Sequence, residues 1–261
     1  MSKREFPEVN GKGKNPPATE GRDYQSEARM MSVRQAHPVL DESSKLPTEW
    51  LSNVRTSEGT FTPEFKEWFG KSIITTDGKP GGEPAVMYHY YFRKALSEFD
   101  EENLVFNPEK VEMGLHFGTA EAAESRSRGK GGDESMTIPA VIRMESPLYM
   151  RDHGSFRIAA KDSAFAAYDV RKSIVEAVIQ DKIHYGLEAP KEDALESIET
   201  VRGVQEWLRE QGYDGIIYPN IEERRDVPGL QDSVIVFDPV KQVRSAITGT
   251  PIYREDGTLL L

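Results

Sequence analysis

Three short stretches hold the side chains best suited to chemistry. They are His89 in Met87-Tyr88-His89-Tyr90, His116 in Gly114-Leu115-His116-Phe117-Gly118, and the carboxylates Glu222, Glu223 and Asp232 at the two ends of a polar loop. A neutral imidazole can bond the hydroxyl of a sugar without needing a charge, or it can be satisfied by a backbone carbonyl. A glycine-bounded strand carrying His116 and Phe117 can form a wall for a flat ring, or simply pack with His116 at the surface. A carboxylate delivered by a loop can align a nucleophile or stabilise a forming cation. With Arg224 and Arg225 beside them, Glu222 and Glu223 can equally form a solvated charge cluster. Neither histidine has a third ligand at a metal-binding spacing and the chain has no cysteine, so metal and thiolate chemistry are not expected.

The elements that must position these residues are legible in part. Thr62 is a helix cap, Pro63 suits the first turn, and Phe65, Trp68 and Phe69 fall on one face before Gly70 ends the segment. Asp77-Gly78 and the loop to Gly82 lead into a strand over about Ala85 to Tyr91. Further strands are predicted at Leu115 to Gly118, Thr137 to Met144, Gly215 to Tyr218, Val234 to Phe237 and Arg244 to Thr248. Helices are predicted at about Ala120 to Arg126, Ile158 to His184 and Ile198 to Gln211, the last ended by Gly212. Asp256-Gly257 suits a hairpin turn in the tail. Strands spaced irregularly between helices of unequal length favour α+β over a repeating βαβ array.

Composition sets the outer limits. The 261 residues suffice for one sizeable domain plus a tail. Residues 1–55 read as a flexible polar N-terminal arm, with a short helix expected at Tyr24 to Val33, and residues 56–261 as the domain. Residues 1–50 carry eight basic and eight acidic side chains, leaving 25 basic and 36 acidic for the remainder, so the whole net charge of −11 lies beyond residue 50. An acidic domain repels phosphate backbones, which makes a nucleic-acid acceptor the less expected partner. No apolar run approaches the roughly 20 residues that span a bilayer, and no signal peptide opens the chain, so a soluble protein with no membrane partner is expected.

Taken together and in order, the blocks resemble the three strand motifs of ADP-ribosyltransferases. The chain is most similar to the ADP-ribosyltransferase domains of polyvalent proteins carried by phages and other mobile elements. That likeness rests on Phe65-Lys66-Glu67-Trp68-Phe69-Gly70-Lys71-Ser72, Tyr88-His89, Leu115-His116-Phe117, the run Gly212 to Asn220, and the run Val236 to Ser245. It covers roughly residues 61–247 and implies an ADP-ribosyltransferase-like fold of two packed, mainly antiparallel sheets with flanking helices.

The resemblance also implies NAD as a substrate, with ADP-ribose transferred to a macromolecule of the bacterial host, a protein before a nucleic acid. The site would act in the host cytoplasm, with delivery in a virion as one route. His89 would contact the nicotinamide ribose, His116 and Phe117 would form the nicotinamide wall, Tyr90 and Ser233 would line the site, and Glu223 would supply the carboxylate, with Asp232 as its substitute. Three positions depart from the family pattern. Tyr90 and Tyr91 stand where the family has Gly and then Thr or Ser, the stretch Ser125 to Gly129 lacks the expected aromatic, and Ser233 follows Asp232 where many members have Glu. These departures define an alternative: a non-catalytic, virion-associated interaction protein on a degenerate form of the same fold.

Overall fold

The computed structural model describes residues 38, 40, 42–92, 113–127, 135–153, 156, 164–198, 200–220, 231–255 and 259–260. The helix expected at Tyr24 to Val33 and the turn at Asp256-Gly257 lie outside the described residues, as do Glu222 and Glu223. Among the described residues seven strands form two sheets: β1 (Met87–Phe92), β3 (Ser135–Ile142) and β7 (Val243–Ser245) in the order β1-β3-β7, and β2 (Leu115–Phe117), β4 (Pro147–Tyr149), β5 (Gly215–Pro219) and β6 (Asp232–Val236) in the order β2-β6-β5-β4. Every pairing is antiparallel except β4 with β5. The helices are α1 (Pro63–Phe69), α2 (Ala120–Ser127), α3 (Ala164–His184), α4 (Val201–Glu210) and the single turn α5 (Pro239–Gln242). The chain is therefore α+β, with two mostly antiparallel sheets.

Side-chain alternation along the strands sorts the apolar residues into layers. Met87, Ala140, Ile142 and Val243 from the first sheet meet Leu115, Phe117, Ile217, Val234 and Val236 from the second. On the far side of the second sheet, Leu148, Ile216, Tyr218, Ile235 and Phe237 pack on α3 and α4 through Val170, Ile174, Val178, Val204 and Leu208. Because both faces of β5 and β6 are covered, every residue of Gly215–Pro219 and Asp232–Val236 is buried. This explains why those strands read as nearly continuous apolar runs.

The outer face of the first sheet is covered by α1 and by a segment that composition assigns to the arm. Phe65, Phe69 and Trp68 of α1 pack with Val86 and Val141, together with Trp50, Leu51 and Val54. Leu51 is fully buried, its N–H donates to Ile247 O at 2.9 Å, and Ser44 O accepts from Val86 N at 2.9 Å. The part of the 1–55 arm from Glu42 onward is thus a packed strap. Its few apolar anchors have no period of their own because they hang on a sheet already built.

Helix α1 forms as its sequence dictates. The Thr62 hydroxyl accepts from Phe65 N, Pro63 occupies the first turn, and Gly70 leaves the helix at φ 57°. Trp68 Nε1 donates to Lys241 O at 2.9 Å, and the Arg244 guanidinium lies 4.3 Å from the Trp68 ring. Thr62→Ala removes one partner from the exposed N–H groups of the first turn and is expected to cost about 1 kcal/mol in urea unfolding. An unchanged unfolding midpoint would show that tertiary contacts alone hold α1.

Two short elements, β4 and α5, are not apparent from the sequence. The first is held by the parallel register Pro147↔Gly215 to Tyr149↔Ile217, and the second by the Asp238 cap, which accepts from Lys241 N. Asp214 fixes the turn that leads into β4, accepting from Glu145 N at 2.6 Å and Ser146 N at 3.0 Å. Burial nonetheless pushes its carboxyl above the usual range.

Candidate functional site

A backbone bridge links the edges of the two packed sheets. Tyr88 N donates to Gly118 O at 2.8 Å and Gly118 N donates to Tyr88 O at 3.0 Å, joining β1 to the end of β2. Beside this bridge lies a narrow slot of about 20 Å³, lined by His89, Tyr90, His116, Phe117, Tyr218 and Ser233 among others.

His89 is set by the alternation that buries Met87. Its ring lies between the sheets, 5.2 Å from the Phe117 ring, and its Nδ1 is 2.6 Å from His116 O. A carbonyl only accepts, so Nδ1 carries the proton, and in the neutral ring Nε2 is the acceptor nitrogen. The backbone-carbonyl reading of His89 is therefore realised, and it selects the tautomer that a hydroxyl donor requires.

His116 and Phe117 are neighbours on a strand and point to opposite faces. Phe117 is 1% exposed and supports His89 from the inter-sheet core. His116 is half-buried on the helix side, with Nδ1 at 2.9 Å from the Tyr218 hydroxyl and its ring 5.7 Å from that of Phe156. Both border the slot, around the edge of β2 rather than as one flat wall. Aromatic stacking opportunity comes instead from His116 with Tyr218, whose rings meet at 72° with centroids 5.9 Å apart.

The far end of the slot meets the root of the loop whose Glu222 and Glu223 lie outside the described residues. Asn220 N donates to Gln231 O at 2.8 Å, Asn220 Nδ2 donates to Ser233 Oγ at 2.9 Å, and the Thr119 hydroxyl bonds Gln231 Oε1. Ser233 lines the slot, whereas Asp232, equally buried, belongs to this root and pairs in register with Pro219. Tyr90 also lines the slot. No group of three or more His, Cys, Asp or Glu that could hold a metal occurs among the described residues.

Sequence reasoning gave no role to Tyr218, Asn220, Gln231 or Ser43. Period-two alternation through Ile216 puts Tyr218 on the His116 side, and this signal was available. Ser43 carried none: its carbonyl accepts from the Tyr88 hydroxyl at 3.1 Å and its Oγ from Ala120 N at 3.2 Å, so the strap braces both sides of the bridge.

An aromatic series continues from Tyr218 through Phe156 to His153. His153 Nε2 accepts from Arg151 Nε at 3.2 Å, and burial, with Arg151 adding to it, pushes its pKa down to about 4. The folded chain then refuses a proton that the unfolded chain takes up below about 6.5. This contribution to stability is present above that pH and is lost as pH falls toward 4. Thermal unfolding followed from pH 7 to pH 5 should fall more steeply for wild type than for His153→Gln; equal slopes would rule out this account.

A scan of family models, a search of curated proteins and a search of solved structures each find no match to this chain. No described helix is long and apolar enough to cross a membrane.

Proposed function

We propose that the chain is an NAD-dependent ADP-ribosyltransferase that modifies a bacterial host macromolecule, a protein before a nucleic acid. The observation that carries this reading is convergence: His89, His116 to Gly118 and Ser233 of the last block, far apart in sequence, border one slot beside the bridge between β1 and β2. Breaking the bond from nicotinamide to ribose develops positive charge on the sugar. Such a site must hold the ribose, hold the nicotinamide and bring negative charge close.

His89 Nε2 accepts a ribose hydroxyl, and His116 with Tyr218 forms the nicotinamide side, with Phe117 backing His89. Glu223 supplies the carboxylate, or Asp232 in its place. Exclusion of water from the slot decides between transfer and hydrolysis of NAD. The reaction takes place in the host cytoplasm, and the net charge of −11 disfavours a phosphate-rich acceptor.

Incubating the protein with ADP-ribose-labelled NAD and bacterial lysate tests the reading, with thermal unfolding in NAD measured alongside. Incorporated label and a rise in melting temperature are expected, since a ligand that binds only the folded state stabilises it. The position of Tyr90 favours one rival, a non-catalytic interaction protein that keeps the fold. No label and no NAD-dependent shift would select that rival.

A further inference from the structure

The slot beside the bridge is narrow for the ligand proposed for it. Its volume of about 20 Å³ admits about one water, whereas pockets for drug-sized ligands run to roughly 300 Å³ or more. One wall consists of Tyr88, Gly118, Ala122 and Ala123, and it is tightly closed: a Cβ built on Gly118 would stand 3.0 Å from both Ala122 Cβ and Ser233 Oγ. A ligand enters only if this wall withdraws, and the strap from Glu42 to Val54 is fastened to it.

Ser43 holds both halves of that wall. Its carbonyl accepts from the Tyr88 hydroxyl at 3.1 Å, and its Oγ accepts from Ala120 N, at the start of α2, at 3.2 Å. The strap is nonetheless docked at a cost. Leu51, fully buried, has a left-handed backbone at φ 58° and ψ 18°, one of two non-glycine residues with positive φ among those described. That conformation is strained for a residue with a Cβ. Ser44 is 1% exposed, and its hydroxyl is enclosed with no hydrogen-bond partner. Water would satisfy that hydroxyl, so undocking recovers the penalty. Two penalties in one short segment bring its docked and undocked forms closer in free energy than the burial of Leu51 alone would set them.

We infer that the strap is a releasable clamp that regulates access to the slot. Docked, it holds Gly118 and the start of α2 against Tyr88 and keeps the slot closed. Released, it leaves the two backbone hydrogen bonds of the bridge without that brace, and they open as Gly118 swings outward with α2. The His89 Nδ1 bond to His116 O lies further along β2 and is kept, so Nε2 stays oriented for a ligand. The inference rests on the transferase reading for the identity of that ligand and not for the motion.

Hydrogen exchange of single amides in the full chain, followed by NMR without NAD, tests this. Ser44→Ala removes the unmet hydroxyl and favours the docked strap. Exchange at Gly118 and Tyr88, whose amides bond each other's carbonyls, should then slow at least about fivefold. Leu51→Ala removes the strap's buried anchor and should speed both at least about tenfold, with Val86 and Ala120 following. Met150 N, which donates to Ile217 O just past β4, should keep its wild-type rate in both variants. Unchanged exchange at Gly118 and Tyr88 in either variant, or equal acceleration at Met150, would overturn the inference. The apparent affinity for NAD should rise in Leu51→Ala and fall in Ser44→Ala, and equal binding by the two would also overturn it. Exchange that responds as stated in a protein that binds no NAD would support the clamp and end the transferase reading alone.

Discussion

His89→Ala should lower the kcat/KM for ADP-ribose transfer by roughly 30- to 150-fold. This corresponds to losing about 2–3 kcal/mol for a hydrogen bond to a sugar that is acquiring charge. The fold should survive, because His89 is half-buried and the strand pairing Met87↔Ala140 through Phe92↔Ser135 does not depend on its ring. What disappears is an oriented acceptor: the His116 carbonyl fixes the Nδ1 proton and so directs Nε2 as the accepting nitrogen. His89→Gln, which keeps an acceptor oxygen near the same reach, should recover part of the rate. Glu223→Ala in the same assay should abolish transfer while leaving the NAD-induced thermal shift, since a charge that acts mainly on the transition state adds little to ground-state binding. Full transfer by His89→Ala would end the ribose assignment, whereas an inactive wild type without a thermal shift would end the transferase reading itself.

The parts of this architecture that local rules control were readable, and those that depend on a prebuilt surface were not. Thr62, Pro63 and Gly70 each act through their own backbone neighbours, and α1 follows from them. Gly215 to Tyr218 is apolar on both faces and reads as a strand because helices cover one face and the first sheet the other. Ser44 and Leu51 belong to a segment whose average composition is polar, and only the contacts they make with Val86 and Ile247 reveal that the strap is packed. The same limit applies at the site. The blocks around His89, His116 and Ser233 could be picked out, but their convergence is tertiary, and strand alternation puts the rings of His116 and Phe117 on opposite faces of β2. Tyr90, identified in the sequence as bulky for its place, does border the slot. Glu222 and Glu223 lie outside the described residues, which meet the two ends of their loop where Asn220 N donates to Gln231 O.

Gly114 is where fold and site depend on a single missing methyl group. It precedes β2 with φ 144°, and a Cβ built there would stand 2.3 Å from Val236 O and 2.9 Å from Ile235 Cγ2. The oxygen belongs to the backbone of β6, the central partner of β2, so no side-chain rotation relieves the clash. The register Leu115↔Val236, His116↔Ile235 and Phe117↔Val234 must shift instead. Gly114→Ala should therefore destabilise the protein by about 3 kcal/mol or more in urea unfolding, combining a backbone conformation closed to L-residues with overpacking. Gly186 separates these two contributions, since at φ 66° a Cβ there meets nothing within 4 Å, and Gly186→Ala should cost only about 1–2 kcal/mol. Any β2 that does form in the Gly114 variant carries the His116 carbonyl away from His89 Nδ1, so the variant should also lose NAD protection in proportion greater than its loss of stability. Equal costs at the two glycines would show that β6 yields to the added methyl, and the geometry of the slot would then not rest on the close approach of β2 to β6.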